Sequence, residues 1–274
     1  MQTLKEEYPV QQLCQTLGIS RSSYYKWIHR VPTQRDVENE SLMEDIQEIY
    51  DKYKGIYGYR RIYIYIRIKL GKKVNQKRIY RLMKKLRLTA VIRRKRAPYK
   101  RSTPQITAEN ILNREFQEDK PNVKWLTDVT EFRLKAGNKV YLSAIYDLGT
   151  NKIVSYETSA SNNNQLVFNT FDKAVCNMDS TEGILLHSDR GYQYTSRRFR
   201  DKLNRFGVIQ SMSRVSRCID NGPMESVWGI IKSEIYRGNK HYLFENIERA
   251  KIIIDDYIHF FNNERITLKM ADLA

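Results

Sequence analysis

The sequence predicts a mixed α/β fold, a sheet with helices packed on it, preceded by a basic helical region. Two observations support this prediction. From residue 122 onward, strand-like runs alternate with helical stripes. The charge is also uneven: residues 1–105 contain 25 Lys and Arg against 9 Asp and Glu, while residues 106–274 contain 23 against 22. A region this basic is typical of proteins that bind a polyanion, and we expect DNA or RNA.

Membrane and secreted classes of protein fit the sequence poorly. No apolar run approaches the ~18–20 residues that span a bilayer, and the N-terminus lacks the basic-then-apolar order of a signal peptide. Cys14, Cys176 and Cys218 lie far apart without a CxxC pair, which argues against a disulfide framework and a zinc site. We therefore expect a cytoplasmic protein with reduced, unreactive thiols.

Residues 1–35 predict a helix-turn-helix. An apolar stripe at helical spacing in residues 10–17 ends at Gly18, and Ser20 is a suitable N-cap for a second helix. The buried face of that helix is expected at Tyr24, Trp27 and Ile28. Its polar face is expected to present Arg21, Ser22 and Lys26 to a major groove. An ordinary helical hairpin is the alternative, because the motif is loosely defined.

Residues 36–97 predict a second, basic helical module that binds DNA. The stretch 52–101 contains ten Lys, ten Arg and no acid to pair with them. Tyrosines such as Tyr57 and Tyr80 are interleaved with the basic residues, which suits contact with a sugar-phosphate backbone. The candidate DNA contacts are Arg60, Arg61, Lys77, Arg78, Arg81, Arg93, Arg94, Lys95 and Arg96.

The local structure of this module is less uniform than its charge. Apolar residues alternate with other residues over 62–68, and periodicity alone favours a strand there. Residues 75–88 predict a helix with Asn75 as its N-cap. Residues 98–118 begin with a basic stretch that contains two prolines and lacks an apolar stripe, so they predict a linker.

Residues 119–274 predict the α/β domain. Three strand-like runs at 124–134, 138–149 and 151–160 are separated by short turns, as in an antiparallel meander. The elements expected after them are a helix at 164–178, a strand at 183–189, a helix at 195–206, a strand at 208–213, and helices at 224–236 and 245–263.

Three acids stand out by their placement in this domain. Asp128 lies within the first strand, Asp189 at the end of the fourth, and Glu225 near the start of a helix. Charges in such places are costly to desolvate unless a cation neutralises them. Magnesium takes one or two carboxylates and leaves positions for phosphate oxygens, and paired ions catalyse phosphodiester chemistry. The three acids beside a basic module therefore indicate chemistry on nucleic acid.

Three runs of sequence around these acids carry a family resemblance: W-L-T-D-V-T-E-F, H-S-D-R-G-Y-Q-Y and D-N-G-P-M-E-S-V-W-G. They resemble the DDE transposase and retroviral integrase superfamily, and most closely the B-frame transposases of the insertion-sequence-three family. The resemblance implies a ribonuclease-H-like catalytic core, a mixed five-stranded sheet with flanking helices, preceded by α-helical helix-turn-helix modules. It also implies a helix rather than a strand at residues 58–70.

The resemblance further implies the chemistry. Asp128, Asp189 and Glu225 would be catalytic residues that bind two Mg²⁺ or Mn²⁺ ions, and the enzyme would cut one strand at an insertion-sequence end and join the freed 3′-hydroxyl to another strand. Lys232, seven residues after Glu225, matches a DNA-contacting position in related integrases. Trp228 could pack beneath the site.

The implied partners are insertion-sequence ends, target DNA and further copies of this chain, with an upstream A-frame protein or fusion as another partner. The implied location is the bacterial cytoplasm, at the nucleoid. Two other functions stay open at this point: a non-catalytic DNA-binding regulator or decayed relative, and a nuclease on the same fold.

Three residues near the acids have two interpretations each, and a fourth has one. His187 either supports the acids from behind or contacts DNA or a metal-bound water. Asp147 is either a structural acid or a rival carboxylate. Trp125 is either core or a platform for base stacking. Asn221, with Asp220, is expected to shape the turn before Glu225 and so support the site.

Overall fold

The computed structural model describes residues 8–90, 108–176, 178–214, 218–237 and 240–266, which belong to two compact units. Of the described residues, 8–90 belong to the first unit and 108–266 to the second. Within the described ranges, no helix is long and apolar enough to cross a membrane.

The first unit is helical. Its helices are α1 (Val10–Thr16), α2 (Arg21–Ile28), α3 (Gln34–Lys52), α4 (Tyr59–Ile68) and α5 (Gln76–Lys85). Both helices expected in the first 35 residues form: Gly18 takes a left-handed φ of 64° between them, and the Ser20 hydroxyl caps α2. Tyr24 is buried as expected, but Trp27 is 62% exposed and does not belong to the buried face.

The strand expected from the alternating isoleucines is wrong, because these residues form α4. Ile62, Ile64 and Ile66 are all buried, since α3, α4 and α5 pack on one another and cover more than one stripe of α4. A strand also needs a hydrogen-bonded neighbour, and residues 8–90 contain no strand. The helix implied by the family resemblance is confirmed.

Helix α3 has no counterpart among the helices predicted from the sequence. It begins with a capping box in which Thr33 and Asp36 satisfy each other's backbone N–H groups, a pattern that a sequence can reveal. Its acids supply counter-charge to the basic stretch: Asp45 pairs with Lys72, and Glu38 lies 3.1 Å from the guanidinium of Arg78. The basic stretch lacks acids of its own but does not lack acidic partners.

The described part of the second unit contains the five expected strands and four α-helices. They are β1 (Lys124–Arg133), β2 (Lys139–Asp147), β3 (Lys152–Ser159), α6 (Asn164–Val175), β4 (Leu185–Ser188), α7 (Arg197–Arg205), β5 (Ile209–Met212), α8 (Gly222–Ile235) and α9 (Ile247–Asn263). The strand order is β3-β2-β1-β4-β5. Strands β1 to β3 form an antiparallel meander, while β4 and β5 continue the sheet in parallel to β1.

Helices cover both faces of this sheet. One core joins the sheet to α8 and α9, and includes Leu126, Leu142 and Trp228. The other joins it to α6 and α7, and includes Trp125, Phe171 and Phe199. Alternate residues of β1 therefore point into opposite cores, which fixes the register of the strand that carries Asp128.

The expected linker is only partly described. Residues 108–118 contain no helix or strand, yet Leu112 is 2% exposed and packs into the core beneath the sheet. The Ser211 hydroxyl accepts the backbone N–H groups of Ile111 and Leu112, at 3.0 and 3.2 Å. This part of the expected linker is anchored to the second unit rather than free.

Candidate active site

Asp128 lies in the middle of β1, the central strand of the sheet. Its Oδ1 accepts the backbone N–H of Val129 at 2.8 Å, and its Oδ2 accepts the indole N–H of Trp228 at 3.0 Å. The pKa of Asp128 is raised to about 7. Burial is the largest cause, the charge of Asp189 comes next, and the charge of Glu225 has a smaller effect. Both hydrogen bonds oppose the shift. The ionised carboxylate is therefore held at a cost that a cation would relieve.

Asp189 directly follows β4 and lies beside Asp128. Thr127 of β1 pairs with Ser188 of β4 in a parallel register, and each acid is the next residue along the chain from this pair. The charge of Asp189 acts on Asp128. Asp189 Oδ1 accepts the backbone N–H of Gly191 at 2.8 Å, and a Cβ added to Gly191 would lie 3.0 Å from the same oxygen. Burial raises the pKa of Asp189 as well.

Glu225 lies in the first turn of α8, with its side chain exposed. The start of α8 is held against β1 by Asn221, whose Nδ2 donates to the Thr127 carbonyl at 3.3 Å. Within the described ranges, no three His, Cys, Asp or Glu side chains lie close enough together to hold a metal ion. The structure therefore brings Asp128 and Asp189 together. Glu225 lies on α8, and its charge still raises the pKa of Asp128.

His187 lies on β4, two residues before Asp189, and its ring contacts Ser211 of β5. It is fully buried, and its two ring nitrogens lie 2.8 Å from the Ser211 hydroxyl and 3.1 Å from the Ser213 hydroxyl. Burial lowers the pKa of His187 to about 4, so the ring is neutral at physiological pH. These contacts favour the supporting reading of His187 over contact with DNA.

Two other acids near the site have structural partners. Asp147 is fully buried and accepts hydrogen bonds from the backbone N–H groups of Asn122 and Thr150, so it stabilises a turn. Asp220 is fully buried between Arg114 and Arg214, at 2.7 and 2.9 Å. Asp220 thus holds in place the segment that leads into α8, as expected for the turn before Glu225.

Sequence reasoning did not single out Tyr194, which lies under the acid pair. Its hydroxyl is 3.2 Å from the Thr127 hydroxyl, and the side chain is 1% exposed. Burial raises the pKa of Tyr194 well above 10, and the charges of Asp128 and Asp189 raise it further. The only sequence signal is its position five residues after Asp189.

The remaining predicted residues of the second unit are buried. Trp125 is fully buried and donates its indole N–H to Asn122 Oδ1 at 3.3 Å, which confirms the core reading. Lys232 is 9% exposed, and its ammonium lies 5.3 Å from the centre of the Phe132 ring. Contact of Lys232 with DNA stays a prediction.

In the first unit, most of the described candidate DNA contacts face solvent. The exposed ones are Arg21, Ser22, Lys26, Arg60, Lys77 and Arg81. Arg61 and Arg78 are half-buried, and the guanidinium of Arg78 is held by Glu38 and Asn39. Tyr57 is fully buried and stacks on Tyr53, so it cannot contact a sugar-phosphate backbone as expected. Arg93, Arg94, Lys95 and Arg96 lie outside the described residues.

Family models match three stretches of the chain. The integrase core domain matches residues 118–218, and a second integrase core domain model matches residues 225–273. An HTH-like domain matches residues 37–96, which correspond to the basic module rather than to the first 35 residues. The two integrase matches contain Asp128, Asp189 and Glu225.

Several relatives match most of the chain, among them the following two. The InsK protein of insertion sequence element IS150 from Escherichia coli is 37% identical over 271 residues, 99% of this chain and 93% of the relative. The transposase for insertion sequence element IS904 from Lactococcus lactis is 33% identical over 241 residues, 87% of this chain and 93% of the relative. Among solved structures, the catalytic core domain of the HTLV-2 integrase in complex with magnesium is 20% identical, with a TM-score of 0.43, over 54% of this chain and 91% of that chain.

Proposed function

Because the chain belongs to the insertion-sequence-three family of transposases, with an integrase core domain, we propose that it is a magnesium-dependent enzyme of the DDE type. It cuts DNA strands at the ends of an insertion sequence and joins the freed 3′-hydroxyls to a target strand. Asp128, Asp189 and Glu225 are its catalytic residues.

The observation that carries this proposal is the nearness of Asp128 to Asp189. Thr127 and Ser188, the residues just before them, pair across β1 and β4, and the charge of Asp189 raises the pKa of Asp128. Burial raises the pKa of each, and no basic side chain in the described part of the chain forms an ion pair with either. Two hard oxygen donors without a counter-charge fit Mg²⁺ or Mn²⁺. Asp128 and Asp189 would hold the ions, and Glu225 would join them from α8.

The surrounding residues orient these ligands. The backbone N–H groups of Val129 and Gly191 each fix one oxygen of an acid, while Asn221 keeps the start of α8 on β1. When bound, a pair of divalent ions activates the attacking oxygen and stabilises the leaving one. The exposed basic residues of the first unit would hold the insertion-sequence end by its phosphates.

The proposed working form is a homo-multimer on DNA, because a transposition event brings two ends of one element together. An upstream A-frame protein or fusion is part of the same proposal. The family resemblance supports both statements.

The test uses the purified full chain and a labelled duplex taken from the inverted repeats that flank its coding region. We expect end-specific nicking and strand joining in the presence of Mg²⁺, and binding alone in EDTA. Binding without cleavage in Mg²⁺ would instead identify a regulator, and degradation without end preference would identify a nuclease.

A further inference from the structure

Trp228 is fixed by its surroundings rather than mobile. It is 5% exposed, and its ring belongs to the core formed by β1, β2, α8 and α9. Its indole N–H reaches the edge of that core and donates to Asp128 Oδ2 at 3.0 Å, across 100 positions of the chain. A buried indole N–H needs an acceptor, and here the acceptor is the carboxylate at the centre of the sheet.

The hydrogen bond acts on an acid that is otherwise disfavoured as an anion. Burial and the charges of Asp189 and Glu225 oppose ionisation of Asp128, while the N–H groups of Val129 and Trp228 favour it. An indole N–H can donate but cannot accept, so it neither takes up a proton nor acts as a competing ligand. Each carboxylate oxygen accepts one hydrogen bond and keeps further acceptor capacity for a cation.

The same contact also sets the position of a helix. Trp228 follows Glu225 by three residues on α8, which places both on one side of that helix. Because Trp228 is bonded to β1, it limits how far the first turn of α8 can move from Asp128. One side chain thus orients one acid and restrains the helix that carries another.

We propose that Trp228 is a positioning residue that holds the Asp128 carboxylate in the orientation that binds the divalent ion, and that it ties α8 to this acid. This inference rests on the proposed function, because it assumes that Asp128 is a metal ligand. Outer partners of metal ligands typically change metal affinity or activity by about 10- to 100-fold when they are removed.

The test compares Trp228→Phe with Trp125→Phe in the full chain. Both substitutions remove one buried indole N–H and keep an aromatic ring, but Trp125 donates to Asn122 and not to an acid. The readouts are Mn²⁺ binding without DNA, followed by electron paramagnetic resonance, and binding of end DNA in EDTA. Asp128→Asn defines the binding that depends on the site.

For Trp228→Phe we expect a dissociation constant for Mn²⁺ about 10-fold higher and an unchanged affinity for DNA. For Trp125→Phe we expect both values to stay within about twofold of the unsubstituted protein. A Mn²⁺ affinity of Trp228→Phe that equals that of Trp125→Phe would overturn the inference. Equal Mn²⁺ binding by the unsubstituted protein and Asp128→Asn would instead overturn the proposed function.

If Trp228→Phe does not fold, a benzothienyl analogue introduced at position 228 gives the same comparison. It replaces the N–H group by sulfur and keeps the two-ring shape. Weaker Mn²⁺ binding by this variant supports the inference, and unchanged binding rejects it.

Discussion

Glu234 of α8 and Arg265, just after α9, form a buried ion pair with two hydrogen bonds of 2.8 and 3.1 Å. Their side chains are 7% and 6% exposed, and the Tyr257 hydroxyl donates to the same carboxylate at 2.6 Å. The pair therefore locks the far end of the helix that carries Glu225 to the C-terminal part of the second unit.

Arg265→Met is expected to destabilise the fold strongly, because it leaves the Glu234 carboxylate buried without its guanidinium. The expected loss in the free energy of unfolding is about 3–5 kcal/mol. The matched control is Lys139→Met, which removes a partner of Glu131 in a pair that is 39% and 51% exposed. Its expected cost is below about 1 kcal/mol. Equal losses in chemical denaturation would contradict this account of α8.

The buried carboxylate of Asp220 predicts a pH dependence of stability. Its hydrogen bonds with the Arg214 and Arg114 side chains hold its pKa well below 3.8. A lowered pKa in the folded state stabilises the fold above the unfolded value of ~3.9, and this contribution is lost as the pH falls through the folded value. At pH 6, the free energy of unfolding of Asp220→Asn should thus be lower by about 1–3 kcal/mol than that of the unsubstituted protein.

The difference in the free energy of unfolding between Asp220→Asn and the unsubstituted protein should become smaller as the pH falls below about 4. Denaturant melts at a series of pH values would measure it. A difference that is the same at pH 2.5 and at pH 6 would show that the charge of Asp220 is not what stabilises the approach to α8.

Gly191→Ala is expected to slow DNA cleavage and to change the free energy of unfolding little. An added Cβ would lie 3.0 Å from Asp189 Oδ1, so Gly191→Ala must displace the carboxylate. We expect cleavage of end DNA to slow by about 10-fold, as when a partner of a metal ligand is disturbed. The control is Gly222→Ala, where an added Cβ meets nothing within 4 Å. Comparable rates for the two variants would contradict the assigned role of the Gly191 turn.

The basic residues of α5 predict different effects on DNA binding. Lys77 and Arg81 are exposed, so replacing both by Ala should reduce the log-log salt slope of DNA affinity by about 2. Arg78 is held by Glu38 and Asn39, so Arg78→Ala should reduce stability and leave the slope within about 0.5. A larger slope change for Arg78→Ala would show that Arg78 leaves its partners to bind phosphate.

The elements of the second unit could be predicted because their signals are local. The strand alternation, the turns between strands and the helical stripes all lie within a few residues of one another. The positions of two acids in the fold were predicted for the same reason: Asp128 lies within a strand and Asp189 directly follows one. Helix α4 was not predictable from periodicity, because the packing of three helices buries three alternate isoleucines at once.

The contacts that organise the site could not be predicted from the sequence. The bond from Trp228 to Asp128 spans 100 positions, and the salt bridge between Arg114 and Asp220 spans 106. Such contacts depend on how α8 and residues 108–118 dock on the sheet, and no local pattern specifies that docking. Tyr194 was missed because its hydroxyl becomes important only once Thr127 lies beside it.

The most direct test of the proposed active site is the Mg²⁺-dependent cleavage of end DNA by Asp128→Asn, Asp189→Asn and Glu225→Gln. Each substitution removes a charged ligand and keeps the size of the side chain. Each variant is expected to lose more than about 100-fold in cleavage rate, the upper end of the cost of losing an outer partner, and to keep its affinity for DNA in EDTA. Near-normal cleavage by any one of them would contradict the proposal that these three acids act together at one metal-binding site.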